Sequence, residues 1–212
     1  MPGKIPATIY GYRITHYKNL PFILQNGIYC PASDHADDNY ISIGNKDIIT
    51  KRGVKPIIHP PYGNIHDYVS FYFGPKSPML YAISKGSSDT DCSQEEIVYL
   101  LTSIPDIQNV AIPFVFTSGQ ALMELSVQYN DTRHLDKIDW NIIFSKYWFD
   151  RPPEYVDRVR KRMAELLVYQ HVPINCILAV VVLHKHIKNK IEKFIADAGL
   201  LIPVHTKPDW YY

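Results

Sequence analysis

Between Gly63 and Ile83 the chain reads GNIHDYVSFYFGPKSPMLYAI, a segment that admits few local structures. A polar turn (Gly63, Asn64, His66, Asp67) leads into Tyr68–Phe73, where β-branched and aromatic residues favour a strand. Gly74 and Pro75 break that strand, and Lys76–Pro78 read as a polar turn. The apolar run that follows predicts a second strand over 79–84. Alternation sets Tyr72 on the face opposite Phe71 and Phe73, so the two phenylalanines belong to the core. Tyr72, Tyr81 and Lys76 then gather around a loop, where they could stack on a base and pair with a phosphate. The plainer alternative is a half-buried sheet with an ordinary hairpin.

At 212 residues and 46% apolar content, the chain predicts a single domain with a full core. The formal net charge of +1 excludes a protein that coats duplex DNA through many phosphate contacts, but is compatible with a local basic groove. Arg158, Arg160, Lys161 and Arg162 could form such a groove or a solvated helix face. Cys30, Cys92 and Cys176 are odd in number and widely spaced, so neither a disulfide framework nor a zinc motif is indicated. The first residues lack the apolar core of a secretion signal. The longest apolar run, Cys176–Leu183, is far shorter than the ~20 residues of a membrane span. The expectation is a cytoplasmic protein with no membrane contact.

No repeat, low-complexity segment or linker divides the sequence. Ile9–Ile14 reads as a strand, and Asn19 as the cap of a short helix ended by Gly27. Asn45 caps a second helix running to Arg52 and stopped by Gly53. Three prolines make 54–65 a loop. Strands are predicted over 68–73, 79–84, 96–102 and 114–117. Helical pieces follow near 120–125 and 138–148, and Asp150 reads as the cap of a helix holding Pro152 and Pro153 in its first turn. A buried strand over 177–183, an amphipathic helix over 184–198 and a last strand over 203–206 complete an α+β pattern. Nothing like GxGxxG is present, which disfavours a Rossmann mode of dinucleotide binding.

Glu165 stands between Arg160-Lys161-Arg162 and the apolar run Leu166–Tyr169, so it either continues a helix or opens a strand. In the helical alternative it is a solvated partner of Lys161. Arg52 reads as a cation at a helix C-terminus. His59, His66, Asp67 and His171 fit no metal spacing or hydrolytic triad and read as structural.

Four segments in order, ITHYKNLPFILQNGI from Ile14, IGNKDIITKRG from Ile43, HDYVSFYFGPKSPMLYAI from His66 and RKRMAELLV from Arg160, with the closing Trp210-Tyr211-Tyr212, resemble the DarT family of DNA ADP-ribosyltransferase toxins. Ser70 stands where that family often has proline, and Lys76 where it often has arginine. The resemblance implies an ADP-ribosyltransferase-like split β-sheet core with helical insertions in a single domain over 1–212. It also implies an NAD-covering element over about 41–56 and an acceptor-recognition loop over about 117–165. NAD is the implied co-substrate, with no metal. Glu165 and Arg52 are the implied catalytic residues; Ile14, Thr15, His16 and Arg52 contact NAD; Tyr72, Lys76, Met79 and Tyr81 contact DNA. The implied reaction transfers ADP-ribose to a base, thymine by preference, in single-stranded DNA. The implied partner is a macrodomain antitoxin that removes the mark. Transfer to RNA or protein, NAD hydrolysis and a non-catalytic nucleic-acid module are the alternatives.

Overall fold

The computed structural model describes residues 3–87 and 89–212. Ten strands form an eight-stranded sheet, ordered β10-β9-β4-β1-β3-β7-β5-β6, and a two-stranded ribbon of β2 and β8. In chain order they are β1 (Tyr10–His16), β2 (Ile28–Tyr29), β3 (Tyr68–Tyr72), β4 (Ile97–Ser103), β5 (Phe114–Thr117), β6 (Gln128–Tyr129), β7 (Glu165–Tyr169), β8 (His171–Val172), β9 (Ala179–Val182) and β10 (Val204–Thr206). The helices are α1 (Leu20–Asn26), α2 (Lys46–Arg52), α3 (Pro78–Ser84), α4 (Ile104–Asn109), α5 (Trp140–Ile143), α6 (Arg158–Arg162) and α7 (Lys185–Asp197). No helix among the described residues is long and apolar enough to cross a membrane.

The sheet is forked. β1 pairs with β4 along all seven of its residues, from Tyr10↔Ser103 to His16↔Ile97. Its pairing with β3 on the other side is confined to Tyr12↔Tyr72. Beyond that pair the two halves diverge, and the β3-facing edge of β1 from Arg13 to His16 is left outside the ladder. Arg13 bridges the gap with a side chain, donating from Nη1 to the Ser70 carbonyl at 3.0 Å. The split core implied by the sequence is thus a single sheet held together by one residue pair at the fork.

Core packing follows the strand alternation. Phe71 and Phe73 are fully buried and Tyr72 only half-buried, in keeping with the period of two. They join one cluster with Phe116, Leu166 and the apolar stripe Ile187, Ile191, Ile195 of α7. A second cluster on the opposite face holds Tyr12, Ile14, Leu80, Ile83, Tyr99 and Tyr211.

Five expectations about local structure are corrected. Residues 79–84 are not a strand but most of helix α3: Ser77 accepts the Leu80 N–H in its side-chain cap and Pro78 occupies the first turn. Leu80 and Ile83 are its buried residues, so a short apolar run that fits a strand was taken by the helical period. Tyr72, Lys76, Met79 and Tyr81 therefore surround a strand–turn–helix. Residues 120–125 form turns, and helix within 138–148 is confined to α5. No helix starts at Asp150: α6 begins at Arg158 with Asp157 at its N-cap, the Asp150 carboxylate only accepts the Arg158 N–H at 2.6 Å, and Pro152 and Pro153 lie in a turn closed by Arg151 and Tyr155. Asn19 precedes α1 without a capping bond, because its side chain is spent elsewhere.

The basic cluster at the end of α6 is not a uniform solvated face. Arg162 is only 5% exposed. Its guanidinium donates to the carbonyls of Pro75, Ile142 and Ser145 at 2.8–3.1 Å and to Lys76 at 3.4 Å, pinning the β3–α3 turn to the end of α5. Burial lowers its pKa from the ordinary arginine value. Lys161, by contrast, makes an outer ion pair with Asp139. Replacing Arg162 by alanine is expected to cost about 3 kcal/mol or more, because charged hydrogen bonds and buried carbonyls lose their partner together. Lys161→Ala is expected to cost about 1 kcal/mol or less. Thermal melting of the two variants checks the contrast.

Candidate active site

Glu165 opens β7, opposite Tyr72 in the register of β3 and β7, so the strand alternative is the one the chain adopts. The strand begins here because Met163 and Ala164 end α6, and the Glu165 N–H finds the buried Thr117 hydroxyl at 3.1 Å. The Glu165 side chain is 3% exposed. Such a carboxylate requires partners, and it has three donors. The Ala121 N–H reaches Oε1 at 3.0 Å. Arg52 grips both oxygens, Nη1 to Oε1 at 3.2 Å and Nη2 to Oε2 at 2.8 Å. The same Nη2 donates to the Ser70 hydroxyl at 2.5 Å. Burial opposes the Arg52 charge, yet Glu165 outweighs it and raises the guanidinium above its ordinary pKa. Beside the pair, burial and then the Glu165 charge raise the Tyr72 phenol, which stays protonated as a donor.

Arg52 sits at the last position of α2, whose side-chain cap is Asn45 accepting the Ile48 N–H. No residue of α2 is buried. The helix is held at its edges instead. Asp89 accepts from Asn45 Nδ2 at 2.7 Å and from the Lys46 N–H at 3.1 Å, and Arg52 binds Glu165. Lys51, its neighbour in sequence, is exposed.

Ile14, Thr15 and His16 lie together at the C-terminal end of β1, all buried. Their side chains are occupied. The Thr15 hydroxyl accepts from Asn19 Nδ2 and shares a proton with the Tyr40 phenol, both at 3.0 Å. Asn19 also clasps Ile41, donating to its carbonyl and accepting its N–H at 2.9 Å each, and so anchors the start of the segment that carries α2. His16 Nδ1 accepts the Lys18 N–H at 3.1 Å. The neutral ring therefore carries its proton on Nε2, which faces Glu96 at 3.5 Å. Cys92 joins these two within 4.8 Å as a third potential metal donor. With Nδ1 accepting from Lys18, Nε2–H is directed at Glu96. What β1 offers a ligand is its unpaired edge and Arg13, whose Nε is buried with no hydrogen-bond partner among the described residues. Two guanidiniums, Arg13 and Arg52, beside an open strand edge suit the diphosphate and amide groups of a dinucleotide.

Tyr72 stands at the Arg52–Glu165 pair, while Lys76, Met79 and Tyr81 occupy the next turn and the first turn of α3. Lys76 adopts a positive φ of 57°; its N–H donates to the Tyr99 hydroxyl and its carbonyl accepts from Tyr212. Its ammonium lies 5.5 Å from the Tyr212 ring centroid. Ser70, Arg13, Tyr40 and the Ala121 N–H were not legible as site groups in the sequence. Ser70 alone had a signal, since alternation puts it on the same strand face as Tyr72.

A sheet forked at one pair, with a buried glutamate at a strand end gripped by an arginine from a loosely seated helix, is the architecture of an ADP-ribosyltransferase. A family model described as the ssDNA thymidine ADP-ribosyltransferase DarT matches residues 12–212. The chain belongs to the DarT family. It is 35% identical over 202 residues to a DNA ADP-ribosyl transferase of Escherichia coli O127:H6, covering 95% of this chain and 92% of that one. It is similar in structure, at 30% identity, to Thermus sp. 2.9 DarT in complex with ADP-ribosylated ssDNA (TM-score 0.93, all of both chains) and in complex with NAD+ (TM-score 0.86, 99% of this chain and 100% of that one). It is also 27% identical over 206 residues to a DNA ADP-ribosyl transferase–DNA ADP-ribosyl glycohydrolase fusion protein of Thermosipho africanus, covering 95% of this chain and 49% of that one.

The histidines give the site a pH dependence. Burial lowers the pKa of both His16 and His66, and for His66 the adjacent Arg52 charge lowers it further. The unfolded chain therefore binds protons that the folded one resists. The associated stability is present above the ordinary histidine value and is lost as pH falls through it toward the lowered folded values. Melting temperature is expected to drop between about pH 7 and 5, and His66→Gln to reduce that drop. Melting curves across this range check the sign.

Proposed function

We propose that the chain transfers ADP-ribose from NAD to a thymine base in single-stranded DNA, with Glu165 and Arg52 as the catalytic residues. The observation that carries the roles is the Arg52–Glu165 pair at the fork, next to the unpaired edge of β1. The bond between nicotinamide and ribose breaks, and nicotinamide leaves with the bonding electrons, which neutralise its ring. Positive charge grows on the ribose, and the fixed Glu165 carboxylate stabilises it. The thymine imide nitrogen then bonds to the ribose carbon and its proton departs to water. Arg52 is kept charged by Glu165, so it serves as an electrostatic partner, stabilising the anionic edge of the base or the NAD phosphates, and not as a proton acceptor.

The backbone edge of Ile14, Thr15 and His16 receives the nicotinamide end of NAD. Residues about 41–56, anchored at Asn19 and seated through Arg52, cover the cofactor. Tyr72, Lys76, Met79 and Tyr81 face the DNA, and the loop of about 117–165, which places the Ala121 N–H on Glu165, selects the acceptor. The product is a covalent DNA lesion, which suits a toxin acting where DNA is, in the cytoplasm. A macrodomain glycohydrolase is the matching antitoxin, as the fused Thermosipho relative supports.

Glu165→Gln keeps the shape and the Ala121 contact but removes the charge. It is expected to retain NAD and DNA binding while transfer falls by about 10²–10³-fold. Arg52→Ala is expected to be inactive and Lys51→Ala active. Mass analysis of a thymine oligonucleotide incubated with NAD reads all three, and near-normal transfer by folded Glu165→Gln would remove the carboxylate from the mechanism.

Single-stranded DNA is expected to gain ADP-ribose while the matching duplex does not, because pairing occupies the imide edge. Equal modification of both would place the bond on another atom. Transfer to RNA or protein in preference to DNA would replace the proposed acceptor.

A further inference from the structure

Between α5 and α6 the chain leaves its large rings in water. Phe144, Tyr147, Phe149 and Tyr155 are 52, 71, 47 and 49% exposed. A soluble surface seldom keeps so many aromatic side chains on one short segment without a ligand. The rings run on from the turn after β3. Phe149 stacks on the buried Trp148 with centroids 4.1 Å apart, and Tyr81 meets Phe149 edge-on at 5.1 Å. Through its four carbonyl contacts Arg162 ties Ile142 and Ser145 to Pro75 and Lys76, so this segment and the β3–α3 turn are held as one surface.

Cations are interleaved with the rings. Lys146 lies 5.6 Å from the Tyr147 centroid, Arg158 lies 5.0 Å from Tyr155, and Lys85 lies 5.4 Å from Tyr81. The nearby carboxylates are largely engaged: Asp150 accepts the Arg158 N–H and Asp157 pairs with Arg160. Glu154 is the carboxylate of the segment with no partner among the described residues. Protein–protein interfaces are depleted in lysine, whereas rings alternating with Lys and Arg match the stacked bases and phosphates of a single strand.

We infer that this aromatic shelf is a second stacking site, which takes the unpaired bases flanking the reacting one on the same DNA strand. The inference rests on the proposed function, since it extends the path of that substrate. Any base offers a π-face, so the shelf adds affinity and length preference without adding sequence readout.

The test compares two oligonucleotides with the same reacting thymine: one holding only its immediate neighbours, one extended on both sides. Wild-type protein is expected to show a lower KM for the longer strand. Tyr147→Ala and Phe149→Ala are expected to cut that advantage by about 5- to 150-fold each, the equivalent of one lost stack, whereas Tyr147→Phe keeps it. Unchanged melting temperature of the exposed Tyr147 variant confirms that the fold is intact. An advantage preserved in both alanine variants overturns the shelf while leaving the proposed function standing. The same holds if the variants keep the advantage but lose capture by a macrodomain protein. Wild-type protein that modifies neither oligonucleotide overturns the proposed function and the shelf with it.

Discussion

The ion pair between Arg52 and Glu165 joins residues 113 positions apart in sequence, and the surrounding structure is arranged to make it tolerable. A carboxylate 3% exposed would be costly to keep ionised alone. The Arg52 guanidinium and the Ala121 N–H supply what water would have supplied. These contacts tie the start of β7 to α2 and to the 117–126 turns, elements that the sheet ladder does not join. Removing one partner leaves the other buried and unpaired, typically a loss of 3–5 kcal/mol. The seating of α2 thus depends on the charge that the proposed mechanism assigns to catalysis.

Two kinds of support surround that pair. On the side proposed for NAD the contacts are few and peripheral: Asn19 on Ile41 and Asp89 on the α2 cap. An element without a buried residue has little to keep it closed, which suits a cover that must admit a dinucleotide. On the side proposed for DNA the contacts are dense. Arg162 gathers four carbonyls, Tyr99 and Tyr212 bind the backbone of Lys76, and aromatic rings pack edge to face around Tyr81. Ser70, which stands where the family often has proline, gives Arg52 a further acceptor and ties Arg13 to the fork through its carbonyl.

Much of this was readable in the sequence, and the failures have physical causes. Alternation fixed Phe71 and Phe73 as core, and the Asn45 cap and Gly53 stop bounded α2. The family motifs singled out Arg52 and Glu165 one by one but not their contact; from residues alone Glu165 stayed ambiguous, because Arg160–Arg162 fit a helix and Leu166–Tyr169 fit a strand. The chain resolves this by ending the helix at Met163. Residues 79–84 misled because five apolar residues satisfy either period, and the Ser77 cap decided for the helix. Arg162 was hidden for a different reason: a charged residue reads as exposed unless its carbonyl partners, drawn from two distant turns, are known.

The most direct measurement is a crystal structure with a non-reactive NAD analogue. The account predicts the nicotinamide ribose within hydrogen-bond distance of the Glu165 carboxylate, the carboxamide on the β1 edge at Ile14–His16, and Arg52 turned from Glu165 toward phosphate or toward the acceptor side. A dinucleotide bound elsewhere, with Glu165 still fully occupied by Arg52 and remote from the ribose, would contradict it.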